Sequence, residues 1–374
     1  MKKSLYLLML VALVGSVSSC GNARKTASVK DESYSVIVLG DTHFDTEPAS
    51  VYHSDYNEKV EWLNRVQRAE FARNGEMWRE RCPRLVKRAA SLVGPDTKFI
   101  YQAGDLIQGD CGNPEVHKKM LCDVMDYMKK ELGGLPFVTV AGNHDIRGTG
   151  ALQAYNEYMP ERMSAELGQE ITKTTFSFRV GPDVYITVDF EHPDDEELEK
   201  LLKESEGARY TFILCHSTIL PPDGSTTRWF FHGRDNEKHT AARRHFRELF
   251  AKRNVIVICG HEHTTDFMVW EGDGGSITQM TVSSVWDNDN AAVYKLFSEG
   301  PAEYGEKYKA AGTLPNGKPI KDETELFAEY KSGVKAYSRS GAAGSYKLRV
   351  SPKGVELDFY VADSQELTHT FILH

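Results

Sequence analysis

Five stretches of the chain set carboxylate, carboxamide or imidazole side chains directly behind an apolar run. They are VIVLGDTH (36–43), FIYQAGD (99–105), FVTVAGNHD (137–145), FILCH (212–216) and VIVICGHEH (255–263). Imidazole nitrogens and oxygen donors with no thiolate among them suit divalent ions such as Mn, Fe or Zn. Taken singly, Gly-Asn-His-Asp is also ordinary turn chemistry. Five repeats of one construction, each with its polar residues at the same end, point instead to a single site drawing on Asp41, His43, Asp105, Asn143, His144, Asp145, His216, His261 and His263.

The runs that deliver these residues are short and β-branched, so they read as buried strands, and a glycine behind them lets the chain turn where a Cβ would clash. The polar groups then lie past the strands' C-terminal edge, where ligands sit in open α/β sheets. Residues 114–132 form an amphipathic helix with Val116, Met120, Val124, Tyr127 and Met128 on one side, ended by Gly133 and Gly134. Strand, helix, strand implies parallel pairing through a right-handed crossover. TTFSFRVG and VYITVDF, joined by residues 181–183, read as a hairpin, so the sheet system is mixed. Helices are expected over about 194–206 and 238–252, the second with Ala242, Phe246, Leu249 and Phe250 inward, and further hairpin signals fall at 277–285, 346–350 and 355–361.

The excursion over 58–93 carries Trp62, Val66, Ala69, Trp78, Leu85, Val86 and Ala89 at helical spacing, with a break expected near Asn74 and Gly75 and a helix interrupted or started at Pro83. Its arginines, among them Arg65, Arg68, Arg73, Arg79, Arg81 and Arg84, read as a solvated face paired with residues such as Glu61 and Glu80 rather than as a collector of acidic substrate.

With 374 residues, 40% of them hydrophobic and 26% charged, the chain can build a substantial core. A net charge of −9 argues against a general nucleic-acid binder. It leaves an anionic substrate open, because a metal ion inverts the local field. Lys2 and Lys3 precede an apolar run over 5–14, too short for a spanning helix, and then Val17, Ser18, Ser19 and Cys20. This segment resembles a bacterial lipoprotein signal. On that resemblance 1–20 is the signal peptide, Cys20 the lipidated mature N-terminus and 21–33 a flexible tether, with the rest exported and held in the cell envelope, on the periplasmic or cell-surface side. Of the other cysteines, Cys215 and Cys259 read as small core fillers. Cys111 and Cys122 are a candidate bridge, and the odd count, with Cys82, leaves at least one thiol free unless it pairs between chains. His53, His117, His192, His239, His245, His369 and His374 lack motif context and read as surface residues.

Asp41-Thr42-His43, Gly104-Asp105, Gly142-Asn143-His144-Asp145, His216 and Gly260-His261-Glu262-His263 follow one another in the order found in the calcineurin-like metallophosphoesterases, which the chain resembles over roughly 34–284. The resemblance implies an α/β (α+β) fold of two packed mixed β-sheets flanked by helices, an αββα sandwich. The core would run over 34–290, with a helical insertion at about 44–97, a weakly patterned insertion at 291–344 and a closing hairpin and strand at 345–374. It further implies two divalent metal ions, one held by Asp41, His43, Asp105 and His263 and the other by Asp105, Asn143, His216 and His261, with Asp105 as the bridge. Water activated between the ions would attack phosphorus, and His144 would assist the leaving group. One departure stands out: many members carry Asp or Tyr three residues past the bridging aspartate, and this chain has Gln108. No Fe(III)-tyrosinate centre is therefore expected, and whatever orients His144 is Asp145, Gln108 or another group.

Substrate contacts are expected from the loop 217–236, where Arg228 and Arg234 could clamp phosphate and Trp229 could stack on an organic group, with His232 nearby. WDNDN (286–290) is a turn or a second substrate edge. The resulting expectation is a metal-dependent phosphatase or phosphodiesterase acting on a phosphorylated small molecule, bound to the membrane through Cys20. Two alternatives are a non-catalytic binding lipoprotein on the same fold and a metal-dependent nuclease, the latter disfavoured by the acidic charge.

Overall fold

The structure is a computed structural model that describes residues 32–46, 52–53, 61–221, 229–284, 298–304 and 324–374. The expected signal peptide with Cys20, and residues 21–31 of the expected tether, lie outside the described residues, as do Arg228 and residues 286–290.

The first half of the chain reads β1 (Tyr34–Leu39), α1 (Glu61–Glu80), α2 (Cys82–Ser91), β2 (Thr97–Gln102), α3 (Pro114–Glu131), β3 (Phe137–Thr139) and α4 (Ala151–Leu167). The second half continues with β4 (Ser177–Val180), β5 (Asp183–Val188), α5 (Asp195–Glu204), β6 (Thr211–Cys215), α6 (Glu237–Lys252), β7 (Ile256–Cys259), β8 (Thr265–Gly272) and β9 (Gly275–Thr281). The chain closes with β10 (Ser298–Glu299), α7 (Thr324–Lys331), β11 (Val334–Ser340), β12 (Gly344–Ser351), β13 (Gly354–Val361) and β14 (His369–Ile372).

These strands form two mixed sheets, ordered β14-β13-β12-β1-β2-β3 and β10-β11-β8-β9-β7-β6-β5-β4. The centre of each is parallel, β1 with β2 and β3 in one and β5, β6, β7 and β9 in the other, while hairpins supply the antiparallel margins. All residues of β1, β5, β6 and β7 are buried, as expected of strands covered on both faces. The sheets meet through aromatic side chains: Phe99 packs edge-on against Phe178 and Tyr185, and Tyr185 stacks on Phe212. Buried hydroxyls also cross the gap, Tyr34 donating to Asp183 at 2.8 Å and Tyr101 to the Cys215 carbonyl at 3.2 Å. No helix among the described residues is long and apolar enough to cross a membrane.

Several expectations need correction. Helix α1 runs unbroken through Asn74 and Gly75, both buried against the fold, and the chain breaks instead at Arg81, ahead of Pro83 in the first turn of α2. Val66 and Ala69 are exposed, so the inward face of α1 is carried by Phe71, Asn74 and Trp78. Arg84 reaches Asp363 at 3.0 Å. Helix α4 was not anticipated; it holds Pro160 in its interior, and its Ala151, Tyr155, Met159 and Met163 keep a four-residue spacing. The expected insertion 291–344 supplies α7 and β11, and β11 pairs with β8, so its end extends the second sheet. Cys111 and Cys122 are both free thiols. His53 and His117 are fully buried rather than superficial: His53 contacts Asp45 at 3.0 Å and His117 the Asp145 carbonyl at 2.7 Å.

Candidate metal centre

Parallel strands from both sheets end on one side of the molecule, and the loops behind them are tied together before any side chain enters the site. The N–H groups of Thr42 and His43 both donate to the Asp105 carbonyl, at 3.1 and 2.9 Å. Gln102, the last residue of β2, is buried and uses its whole amide: it accepts from Gly104 N–H and the Thr139 hydroxyl and donates to the carbonyls of Gly40 and Gly104. One side chain thus joins the ends of β1, β2 and β3. Two glycines permit the close approach. A Cβ on Gly142 would lie 2.1 Å from Asp105 N, and one on Gly104, whose φ is +85°, would lie 2.7 Å from His216 Nδ1. His43, Asp105, His261 and His263 themselves adopt positive φ values of 43, 47, 71 and 52°. Such backbone costs roughly 1–3 kcal/mol per residue and concentrates at functional sites.

The seven donors expected to bind metal come together. Asp41 Oδ2 lies 3.0 Å from His263 Nε2, and His263 Nε2 lies 3.2 Å from His43 Nε2. Asp105 Oδ2 faces His216 Nε2 at 3.3 Å on one side and His43 Nε2 at 3.9 Å on the other. Asn143 Oδ1 and His261 Nδ1 approach His216 Nε2 at 3.2 and 3.1 Å. The Asp105 oxygen not pointing into this group accepts the His144 N–H at 2.7 Å, and Asp41 accepts the His261 N–H at 3.1 Å.

Whether these residues suit cations is answered by the atoms around His216. Its Nδ1 sits 2.8 Å from the Ala103 carbonyl and so carries hydrogen, which in the neutral ring leaves Nε2 as a lone pair. That lone pair faces a carboxylate oxygen, an amide oxygen and a second imidazole nitrogen. The two oxygens are acceptors as well, so the group is satisfied by positive charge between them and Nε2, a proton or a cation. The electrostatics agree: burial would discharge His216, yet Asp105 and Asp41 carry its pKa up to about 9. Asp105 is held well below the usual carboxylate range, because His216 and His144 outweigh the opposing effect of burial. His261 is driven down to about 3 by burial and by His216, and His43 also falls well below its ordinary value, through burial and then His144. The mixture of oxygen and imidazole donors without sulfur fits a pair of borderline divalent ions.

His144 lies at the rim of this group, its ring centroid 4.4 Å from that of His43. Its Nδ1 is 2.8 Å from the main-chain carbonyl of Gln108, and its Nε2 is 3.8 Å from Glu70 of α1. Asp145 does not orient it. The Asp145 carboxylate accepts the N–H groups of Ile107 and Gly142 and is buried beneath the loop, where burial and Asp105 raise its pKa to about 8. Asp145 is a brace for the turn, and the Gln108 backbone does the orienting.

A cleft of about 320 Å³ opens onto the centre, and one wall is the helix read as a solvated face. Glu70, Arg73, Asn74 and Met77 of α1 line it beside His43, Asp105 and His144. Arg73 Nε donates to Asn74, and Asn74 donates to the Gln108 side chain at 2.6 Å. Arg147 is paired with Asp110 and lies 3.6 Å from Glu70. Their place at the site was missed, with Arg73 read as part of a solvated face and Asn74 as a helix break, because they belong to no strand-end motif; the four-residue step from Glu70 to Asn74 on one helix face was the available signal. Of the substrate-loop residues, Trp229 stacks on His261 with ring centroids 5.6 Å apart, whereas Arg234 is exposed and lies 3.9 Å from Glu191. His232 is buried against Asp195 and His239.

Residues 34–265 match the family described as calcineurin-like phosphoesterase. Among solved structures, a purple acid phosphatase isolated from yellow lupin (Lupinus luteus) seeds aligns with 92% of this chain and 54% of its own, at 12% identity and a TM-score of 0.52. PhoD aligns with 92% of this chain and 70% of its own, also at 12% identity, with a TM-score of 0.51. These two likenesses concern the fold, and the chain spans about half the length of the lupin protein. No curated protein matches the sequence.

Proposed function

The chain belongs to the calcineurin-like phosphoesterases, and we propose that it is a metal-dependent hydrolase of phosphate monoesters or diesters. The observation that carries this reading is the meeting of donors from five strand ends in two groups that share Asp105. Asp41, His43, Asp105 and His263 would hold one ion, and Asp105, Asn143, His216 and His261 the other. When bound, such a pair supplies Lewis-acid charge for phosphoryl oxygens and makes water a nucleophile near neutral pH.

The chain's own residues do the rest. Backbone bonds through Ala103 and His144 N–H fix His216 and Asp105 before an ion arrives, so little reorganisation is needed on binding. His144 Nδ1–H is held by Gln108, which leaves Nε2 to face the cleft and meet the departing oxygen. Arg73 brings positive charge to the cleft mouth, where an anionic ester enters.

Full chain loaded with Mn²⁺, Fe²⁺ or Zn²⁺ should hydrolyse p-nitrophenyl phosphate or its bis-ester, and chelation should abolish the activity. A screen over phosphomonoesters, cyclic nucleotides, nucleoside diphosphates and phospholipid-derived diesters then assigns the class. Full metal occupancy without turnover on any of them would move the protein to a binding role. The Lys2, Lys3 and Val17–Cys20 pattern supports export on a lipid tether. Cys20→Ser should release the protein from the membrane fraction.

A further inference from the structure

Beside the metal cleft lies a second pocket of about 220 Å³, between the loop after β5 and the start of α6. Its apolar wall is built from Phe190, Trp229 and Phe230, and its polar edge from Glu191, Arg234 and His239. Two of these rings back onto expected metal ligands. Phe190 lies 5.5 Å from His216 and 5.8 Å from His261 between ring centroids, and Trp229 overlies His261 at 5.6 Å and 29°. The pocket therefore begins about one ring's thickness from the centre that would hold the phosphoryl group. Trp229 remains 47% exposed, which is unusual for an indole already stacked on one side.

Hydrogen bonds fix the character of the polar edge. Asn236 caps α6 and accepts the His239 N–H at 3.0 Å, which sets that residue at the pocket. Asp195 lies 2.9 Å from His232 Nε2 and can only accept, so that nitrogen carries hydrogen. His232 Nδ1 is then an acceptor for His239 Nδ1 at 3.0 Å, which leaves His239 Nε2 with a lone pair. Burial shifts both imidazoles toward the neutral form, against the Asp195 carboxylate at His232 and together with the charges of His232 and Arg234 at His239. Arg234 is only loosely opposed by Glu191, at 3.9 Å, and keeps N–H donors to offer.

Building on the phosphoesterase reading, we propose that this pocket receives the alcohol part of the ester, and that this part is a flat aromatic ring with a hydrogen-bond donor and an acceptor on its edge. The face of such a ring continues the His261–Trp229 stack, its donor meets His239 Nε2 and its acceptor meets Arg234. Size is adequate, since a cavity of about 150 Å³ already holds benzene.

The test is calorimetric titration of the metal-loaded full chain with adenosine, which has the aromatic ring and no phosphate, and with ribose as the control without an aromatic ring. Adenosine binds and ribose does not, and Arg234→Ala and His239→Ala each weaken adenosine about 10-fold while metal content is unchanged. Trp229→Ala weakens it by a similar factor. Equal binding of ribose, or adenosine binding indifferent to both Arg234→Ala and His239→Ala, overturns the proposal. Hydrolysis plays no part in this measurement. A failed pocket leaves the phosphoesterase reading intact, and bound adenosine without any ester hydrolysis would fault that reading instead.

Discussion

The ring of His144 is anchored by a backbone atom: its Nδ1 lies 2.8 Å from the Gln108 carbonyl, so Gln108 positions the ring through its main chain. With hydrogen committed to Nδ1, Nε2 donates to a leaving group only from the protonated ring. Burial and Arg147 lower the His144 pKa, so that protonated form is favoured by acid. His144→Asn should therefore keep its metal and lose roughly 10² to 10⁴ in kcat on esters with poor leaving groups, with little change on p-nitrophenyl esters. In the native enzyme the rate ratio of poor to good leaving groups should rise as pH falls. A ratio that is flat with pH and unaltered in the variant would take His144 out of the chemistry.

Asp105 is the residue both donor groups share, and its neighbours demand charge rather than mere hydrogen bonding. Asp105→Asn keeps the shape but removes the carboxylate that faces His43 and His216. Metal affinity at both positions should fall by more than about 100-fold, exceeding the effect typical of an outer contact. Metal analysis after dialysis against a weak chelator reads this directly. Retention of two ions per chain would show that Asp105 is not the bridge.

His117 gives a pH dependence that is independent of any ion. Its Nε2 is bonded to the Asp145 carbonyl, while its Nδ1 is buried with no partner among the described residues, so protonation would strand a donor. Burial accordingly lowers its pKa from 6.5 to about 4. Between those values the unfolded chain binds a proton that the folded one refuses, so this contribution is present above pH 6.5 and is lost as pH falls toward 4. A displacement of that size corresponds to about 3 kcal/mol. His117→Gln should flatten the stability profile over this window in metal-free protein, measured by urea midpoints at several pH values. Parallel profiles for the two proteins would contradict it.

The strand ends were legible because metal-ligand residue types repeat behind β-branched runs, a pattern that survives without any knowledge of packing. What lay between them was less so. His117 could have been read as buried, since it shares a helix face with Leu121, Val124 and Met128 at the right spacing, but a histidine in isolation looks polar. Trp78 was recognised as apolar, yet nothing local says that α1 turns Glu70 and Asn74 toward His144 and Gln108, because that choice is made by the docking of the helix on the sheet. Strand β11 carries Lys335, Ser338 and Arg339 among its apolar residues and so looked like loop; its pairing with β8 is long-range information.

Gln102 is the sharpest test of that hidden layer. A glutamine at the end of FIYQ reads as an ordinary boundary residue, but in the fold it is fully buried and holds Gly40, Gly104 and Thr139 together through four hydrogen bonds. Gln102→Leu preserves volume and strips every one of these bonds. Each buried group left without a partner costs about 1–3 kcal/mol, and partial relaxation of the loops should bring the total to roughly 3–5 kcal/mol. Thr139→Val removes only the hydroxyl contact and should cost about 1 kcal/mol. Because Asp41, Asp105 and Asn143 sit on the three loops so tied, the leucine variant should also bind metal more weakly, whereas the valine variant should not. Urea denaturation of both metal-free variants, followed by metal titration, separates the two effects. A leucine variant as stable as the native chain would mean the loops are held by their own backbone bonds, and Gln102 would then be a passenger in the core.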